Sequence, residues 1–173
     1  DCDDLLQKYD FDHVALCLGA GWPNNIKLQN NFIKGVRFAS DFLMSLQLTG
    51  ADKSKSITNL QIRLPALVLG AGLTAIDTAC EIIPYYITQV KKFSYRYSIL
   101  KTNGQNPEND WNKEEKEIAD EFLDHAKKIA KTKNKAEILQ LINKWGGVKI
   151  IYRKKISESP AYQKNHEELQ KAL

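Results

Sequence analysis

Cysteine is scarce in this chain of 173 residues, and its three copies, Cys2, Cys17 and Cys80, stand far apart with no Cys-x-x-Cys. That spacing excludes a redox dithiol, an iron–sulfur cluster or a zinc site built from this segment alone. The apolar contexts of Cys17 and Cys80 predict packed, inert thiols. Long apolar runs are missing too, since none approaches the ~20 residues that a membrane span needs. Nothing resembles a signal or transit peptide, which favours the cytoplasm. Charge of one sign is not in large excess: the net value of +4 rests on short clusters such as Lys91-Lys92 and Arg153-Lys154-Lys155. Without an extended basic stripe, nucleic-acid binding is not expected. Hydrophobic residues at 43% and charged residues at 27% describe a soluble globular chain, long enough for one domain and too short for two full-sized ones. The chain opens on Asp1, and Leu173 ends an expected helix without a stop signal, so it reads as a segment of a longer protein.

What is present is organised around Leu64 to Glu81, which reads as a buried strand over Ala66–Leu69, a glycine turn and a helix. The turn fits Gly-x-Gly-x-x-Ala, with Gly70, Gly72 and Ala75 in the three special places. In a dinucleotide site the first glycine makes the tight turn and the second lets backbone approach the pyrophosphate. The third place needs a small side chain so that helix and strand pack closely. The free N–H groups and the positive dipole end of the helix then face the phosphates. An ordinary strand–turn–helix has the same outline, so the spacing alone does not decide.

Elsewhere the pattern is mostly helical. Tyr9 to Gly21 contains a solid apolar run into Gly19-Ala20-Gly21 and predicts a central strand of a parallel sheet, with His13 half-buried in it. Gly35 to Leu48 predicts a helix, and residues 45–59 a polar surface connection. The fingerprint helix is expected to stop near Ile83, because the residue before Pro84 resists helical dihedrals. A further helix over Tyr85–Leu100 is followed by a loop at Thr102–Asp110. Glu114–Lys131 and Ala136–Trp145 are amphipathic helices, the second stopped by Gly146-Gly147. Val148–Tyr152 is a strand, and Glu167–Leu173 starts a last helix.

The charge at the tip of that second strand bears on the ligand. In a dinucleotide-binding βαβ unit this tip lies beside the adenosine ribose, where an acid suits NAD and a positive side chain suits the 2′-phosphate of NADP. Here the tip carries Arg153, Lys154 and Lys155 and no acid. A charge pair at ~4 Å is worth at most ~4 kcal/mol at an effective dielectric of 20, and less with exposure. A fraction of that selects NADPH over NADH. Gly70 and Arg153 stand much further apart than in a plain βαβ unit, so residues from about 85 to 143 are expected to form a mostly helical insertion.

With these residues in place, the segment resembles the pyridine-nucleotide-dependent flavoproteins related to the small subunit of glutamate synthase and to adrenodoxin reductase. The stretch from Tyr9 to Gly21 looks like the strand that ends the flavin domain, with Cys17-Leu18-Gly19 in place of the usual Ala-Thr-Gly. Gly35-Val36 with Ala39–Leu43 is similar to the helix between the two domains, and Gly70–Ala79 to the NADPH fingerprint. Tyr152-Arg153-Lys154, with Ser159-Pro160-Ala161 beyond, resembles the Tyr-Arg-Arg segment and the Met-Pro-Ala that follows it. Trp145-Gly146-Gly147 before the strand matches the longer bacterial form.

The resemblance implies an α/β chain: a partial Rossmann-type dinucleotide-binding domain, a parallel sheet with flanking helices, plus the helical insertion. Residues 1–60 would be the end of the FAD domain and the interdomain connection, and residues 61–173 a partial NADP-binding domain. The parent protein would pass a hydride from NADPH to FAD and on to an electron acceptor. Its partners would be the rest of its own flavoprotein chain and an iron–sulfur or large synthase subunit, with no membrane. Most of the FAD would be held by sequence outside this segment. Gly70, Gly72, Leu73, Thr74 and Ala75 would lie at the pyrophosphate, Arg153 and Lys154 at the 2′-phosphate, and Gly19 and Ala20 at the flavin. No general acid, base or metal ligand is implied, because the cofactors carry the bond changes. One rival is a non-catalytic nucleotide-binding or scaffold module that uses the insertion as its partner surface. Another is a short-chain dehydrogenase, since Tyr97 and Lys101 fit Tyr-x-x-x-Lys. Their place only ~25 residues after the glycines, before the several further βα units that pair should follow, argues against it.

Overall fold

The computed structural model describes residues 8–9, 12–13, 15, 17, 23 and 26–172. The chain divides into two compact units, Asp1–Phe32 and Ile33–Leu173. In the first, most of the strand expected from Tyr9 to Gly21, with Gly19 and Ala20, lies outside the described residues. His13 and Cys17 are described, and both are exposed rather than half-buried or packed. Apolar neighbours in sequence do not by themselves cover a side chain.

The second unit is built on one rod, the helix α2, which follows α1 (Ala39–Thr49) and the strand β1 (Ala66–Leu69). α2 runs from Leu73 to Thr102, 30 residues, and passes through Pro84 without ending. At 1.5 Å per residue such a rod is about 45 Å long. Proline in a helix interior removes one hydrogen bond and crowds the carbonyl four residues back, a cost of ~3 kcal/mol. Here Pro84 sits on the exposed side with Asp77, Cys80 and Glu81, while Ile82, Tyr85, Tyr86, Gln89 and Val90 are buried around it. Packing on both flanks outweighs the local penalty, so the break expected at Ile83 does not occur. The same geometry puts Cys80 at the surface rather than in the core.

Two faces of α2 bury two different sets of partners. Ala75, Ile82 and Tyr85 meet Phe42 and Leu46 of α1 and Val68 of β1. Tyr86 and Val90 meet Ile118, Phe122, Ala126 and Ile129 of α3 (Lys113–Ala130) and Ile142 of α4 (Lys135–Lys144). α3 begins with a capping box, in which the Asn112 side chain accepts from the Glu115 amide and Glu115 accepts from the Asn112 amide. α4 ends where Gly146 and Gly147 take positive φ. A side chain at Gly146 would bring its Cβ within 2.7 Å of Pro65 Cβ, so this turn admits only glycine. The chain then enters β2 (Val148–Ile151), passes a single 3₁₀ turn at Ile156–Glu158 and ends in α5 (Pro160–Ala172), interrupted at Asn165.

The polar stretch between α1 and β1 is not a loose surface loop. Successive turns of α2 hold its backbone through side chains. Tyr85 Oη accepts from the Leu60 amide at 2.8 Å, and Gln89 bonds both the N–H and the C=O of Ile62 at 2.8 Å each. The buried Lys92 donates to the carbonyls of Ala51 and Thr58 at 2.7 and 2.9 Å, and Arg96 donates to that of Ser56 at 2.6 Å. Burial pushes the Lys92 ammonium below its usual range, with the nearby Arg96 charge adding to it.

Strand content is where expectation and structure part. β1 and β2 form a parallel pair, Leu69 opposite Ile151 and Ala66 opposite Val148, and among the described residues this is the whole sheet. The unit is mostly helical, and no Rossmann-type domain is shown. The strand–glycine–helix pattern requires only one strand, one turn and one helix. Between the two strands the chain is spent on three helices, and after the second on a turn and a fourth. Among the described residues no helix is long and apolar enough to cross a membrane.

Candidate functional site

Gly70 and Arg153 both follow the carboxyl ends of paired strands, Leu69 lying opposite Ile151. Gly70 leaves β1 with φ +123°, a conformation side chains resist, and its amide donates to the Ile151 carbonyl at 2.9 Å. Gly72 is the N-cap of α2 and has no side chain to satisfy the amides that follow. Its carbonyl accepts from the Ala75 and Ile76 amides at 3.0 and 3.2 Å. Among the described residues the amides of Gly72, Leu73 and Thr74 make no hydrogen bond. A Cβ at Gly72 would meet nothing within 4 Å. Free N–H groups at the positive end of a helix dipole are the general requirement for holding an anion.

Ala75 has a different task from its neighbours. It is buried in the same core cluster as Val68 of β1, and its amide is already engaged by Gly72. The Ala75 Cβ lies 4.0 Å from where a Cβ on Gly70 would stand, so the helix start packs close to the glycine turn. Ala75 is thus a packing residue that holds the turn in shape. Asp77, on the next turn, is exposed.

The basic cluster follows β2 at the same end of the pair. Arg153 comes two residues after the Ile151 that pairs with Leu69. Arg153, Lys154 and Lys155 are all exposed, and Lys154 is 4.0 Å from Glu158, the single acid near them in sequence. Among the described residues Arg153 makes no ion pair. Beyond the cluster the chain returns to the glycine turn. Ser159 and Ala161 are fully buried, the Ala161 amide donates to the Ala71 carbonyl at 3.1 Å, and Ser159 Oγ accepts from the Tyr162 amide at 3.1 Å. Ala161 packs with Ile76 and Leu169, and Leu73 and Ile150 border that cluster. Ser159-Pro160-Ala161 carried this signal in the sequence only as part of a resemblance; its physical role is a clasp on the carbonyl side of the glycine turn.

Gly19 and Ala20 lie outside the described residues, so no flavin contact is described. The Tyr97–Lys101 pair is accounted for locally. Tyr97 Oη donates to Glu108 Oε1 at 2.6 Å and Lys101 Nζ to the same oxygen at 2.9 Å. Those two hydrogen bonds hold the Glu108 carboxyl down to about 2 and tie the 3₁₀ turn at Pro107–Asn109 to the end of α2. Among the described residues no group of three or more His, Cys, Asp or Glu is placed to hold a metal.

No family model matches the chain, and no solved structure matches it. It is similar to an uncharacterized protein of Rickettsia prowazekii (strain Madrid E), 46% identical over 159 residues, which is 92% of this chain and 21% of that protein. The chain therefore spans about a fifth of the length of the curated relative it matches.

Proposed function

We propose that this chain carries the NADPH-phosphate end of a longer flavin oxidoreductase, which passes a hydride from NADPH to FAD and on to an electron acceptor. The observation that carries the proposal is the shared position of two complementary features at one end of the β1–β2 pair. Among the described residues, amides at Gly72, Leu73 and Thr74 without a hydrogen bond stand at one strand end, and an exposed Arg153 without an ion pair follows the other. The residues fit the group: two anionic phosphates against backbone N–H groups and a third, the 2′-phosphate, against a guanidinium that grips phosphate in a fork.

When bound, the nicotinamide supplies the hydride and the flavin receives it. The chain's own part is to bind and orient. Gly70 turns the backbone, Gly72 keeps the approach clear, Leu73 and Thr74 donate amides, and Arg153 with Lys154 selects the phosphorylated ribose. A cytoplasmic location and a partner carrying iron–sulfur centres belong to the same reading. The rival, a scaffold that presents its helical pair to a partner, draws no support from those helices, because their apolar stripes are buried against α2.

The test is Arg153→Ala in the complete gene product, with NADPH and NADH titrated side by side. Hydrogen bonds to charged groups are worth about 1.5–3 kcal/mol, so NADPH affinity should fall by roughly 10- to 100-fold with NADH little changed. Equal weakening of both would remove Arg153 from the phosphate role.

A further inference from the structure

A cleft of about 190 Å³ lies between α2, α3 and the stretch that joins α1 to β1. It is smaller than the roughly 300–1,000 Å³ of drug-sized pockets, so it suits a compact group. Its wall is aromatic: Phe93 of α2, Trp111 before α3 and the fully buried Phe122 of α3. Phe122 meets Phe93 edge-on, at 5.8 Å and 82°, and Trp111 lies 6.3 Å from Phe93 at 33°, so the rings meet around Phe93. The rim is polar, with Asn59, Gln61 and Glu115 exposed. Although the chain has 25 lysines and arginines, none lines the cleft. Gln61 holds φ +50°, a backbone conformation that a side chain resists. Its neighbours impose it. The Leu60 amide donates to Tyr85 Oη, Gln89 grips the N–H and C=O of Ile62, and the Gln61 amide donates to Asn59 Oδ1 at 3.0 Å. Strain fixed from both sides in this way gathers at sites kept ready for a ligand.

We propose that this cleft binds a free, small organic cation of the methylated-ammonium class, its methyl groups against the rings and its charge balanced by Glu115. The face of an aromatic ring is negative and attracts a cation, most strongly at tryptophan. Glu115 is the single charged residue in the lining and makes no ion pair among the described residues. Its Oε2 accepts from the Asn112 amide at 2.8 Å, and its Oε1 has no hydrogen bond among the described residues. A primary ammonium needs an acceptor for each of its N–H donors, and the side chains of Ile118, Ala119 and Phe122 offer none. Methyl groups remove that demand and spread the charge over a surface that rings can cover. An anion is disfavoured, because the Asn112 side chain already engages the Glu115 amide and the carboxylate would repel it. This inference does not rest on the nucleotide reading, since none of these residues belongs to the glycine turn or the basic cluster.

Ligand-observed NMR on the complete gene product tests it, with choline as the probe. Its control is the uncharged alcohol in which carbon replaces the choline nitrogen, so that shape is kept and charge is lost. Choline should bind saturably at millimolar concentration or below, about 10-fold or more tighter than the alcohol. Glu115→Gln keeps the capping box, which accepts glutamine at that place, and Phe93→Leu keeps an apolar side chain while removing a ring. Each should weaken choline by roughly 3- to 30-fold and the alcohol far less. Equal binding of the two probes overturns the proposal, and so does a choline affinity that neither variant alters. Failure to saturate by about 10 mM choline overturns it as well, whether the cleft takes no cation or another part of the chain closes it. A trimethyllysine peptide or phosphatidylcholine vesicles that bind where free choline does not would move the group onto a macromolecule and overturn the assignment to a free cation.

Discussion

The helical side of the molecule and the carboxyl end of its sheet are built on opposite terms. Between α2, α3 and α4 nearly every group is spent on a neighbour in the same chain. Tyr86, Phe122 and Ile142 are fully buried, Tyr86 meets Phe122 edge-on at 6.1 Å, and Tyr86 Oη lies 2.6 Å from His125 Nδ1. The His125 ring stacks on Trp145 at 3.6 Å, and Arg63 grips Glu121 at the rim. At the sheet end the amides of Gly72, Leu73 and Thr74 are unbonded, Arg153 has no ion pair among the described residues, and Leu69 and Ile151 are exposed. Stability resides in the first region, and most of the groups left to act on something else collect in the second.

A pair of substitutions breaks or sharpens that contrast most directly. Phe122→Ala empties a fully buried site and should lower the unfolding free energy by about 3–5 kcal/mol. Arg153→Ala removes a charge with no ion pair among the described residues and should change it by no more than about 0.5 kcal/mol. Urea unfolding of the complete gene product followed by tryptophan fluorescence measures both. A loss at Arg153 comparable to that at Phe122 would mean the cation is structural, and the division between the two regions would fail.

The next effect is smaller and depends on pH. Burial pushes the His125 imidazole below its ordinary value; Glu121 and Asp124 oppose this and Lys128 adds to it. Burial also pushes the Tyr86 hydroxyl up, so both partners of the 2.6 Å hydrogen bond are neutral. With the folded pKa of a base depressed, the unfolded chain binds the proton first. The contribution is therefore complete above ~6.5 and is lost as pH falls below it. Stability measured from pH 7.5 to 5.5 should decline in the parent and stay flatter in His125→Gln. Tyr86→Phe leaves the His125 nitrogen without its partner and should cost about 1–3 kcal/mol at neutral pH.

How much of this was legible follows the range of the forces involved. β1 was readable to the residue at Ala66–Leu69, as were the glycine turn and the stop at Gly146-Gly147, because turn chemistry and short apolar runs are local. The apolar stripe of α3 was equally plain, since one helix face carries Ile118, Phe122, Ala126 and Ile129. Pro84 misled because a proline's penalty is visible in sequence while the packing that outweighs it comes from α1, α3 and β1. The parallel sheet was overestimated for a related reason: a strand, a glycine turn and a helix are local, and the number of strands in a sheet is not a local property. The glycine turn and the cations were plain in the sequence, but not the Ala161–Ala71 hydrogen bond that ties the start of α5 to that turn.

Tyr97 and Lys101 supply the smallest and most local prediction, and it sharpens the contrast from the helical side. In sequence they look like a catalytic pair. In the fold both donate to one oxygen of Glu108, and the Tyr97 ring lies 6.0 Å from Trp111, closing the end of α2 over the turn at Pro107–Asn109. A carboxyl held down to about 2 is a carboxylate whose contribution is present above the ordinary value near 4.5 and is lost as pH falls towards 2. Tyr97→Phe removes the larger of the two causes, so the Glu108 titration followed by carbonyl NMR should move up towards the usual carboxylate range. Exchange at the Asn109 and Asp110 amides, which close that turn, should quicken with it. A Glu108 that titrates normally in the parent protein would mean the grip is absent in solution. Tyr97 and Lys101 would then be unspent polar groups on the helical side, and the line between the two regions would have to be redrawn.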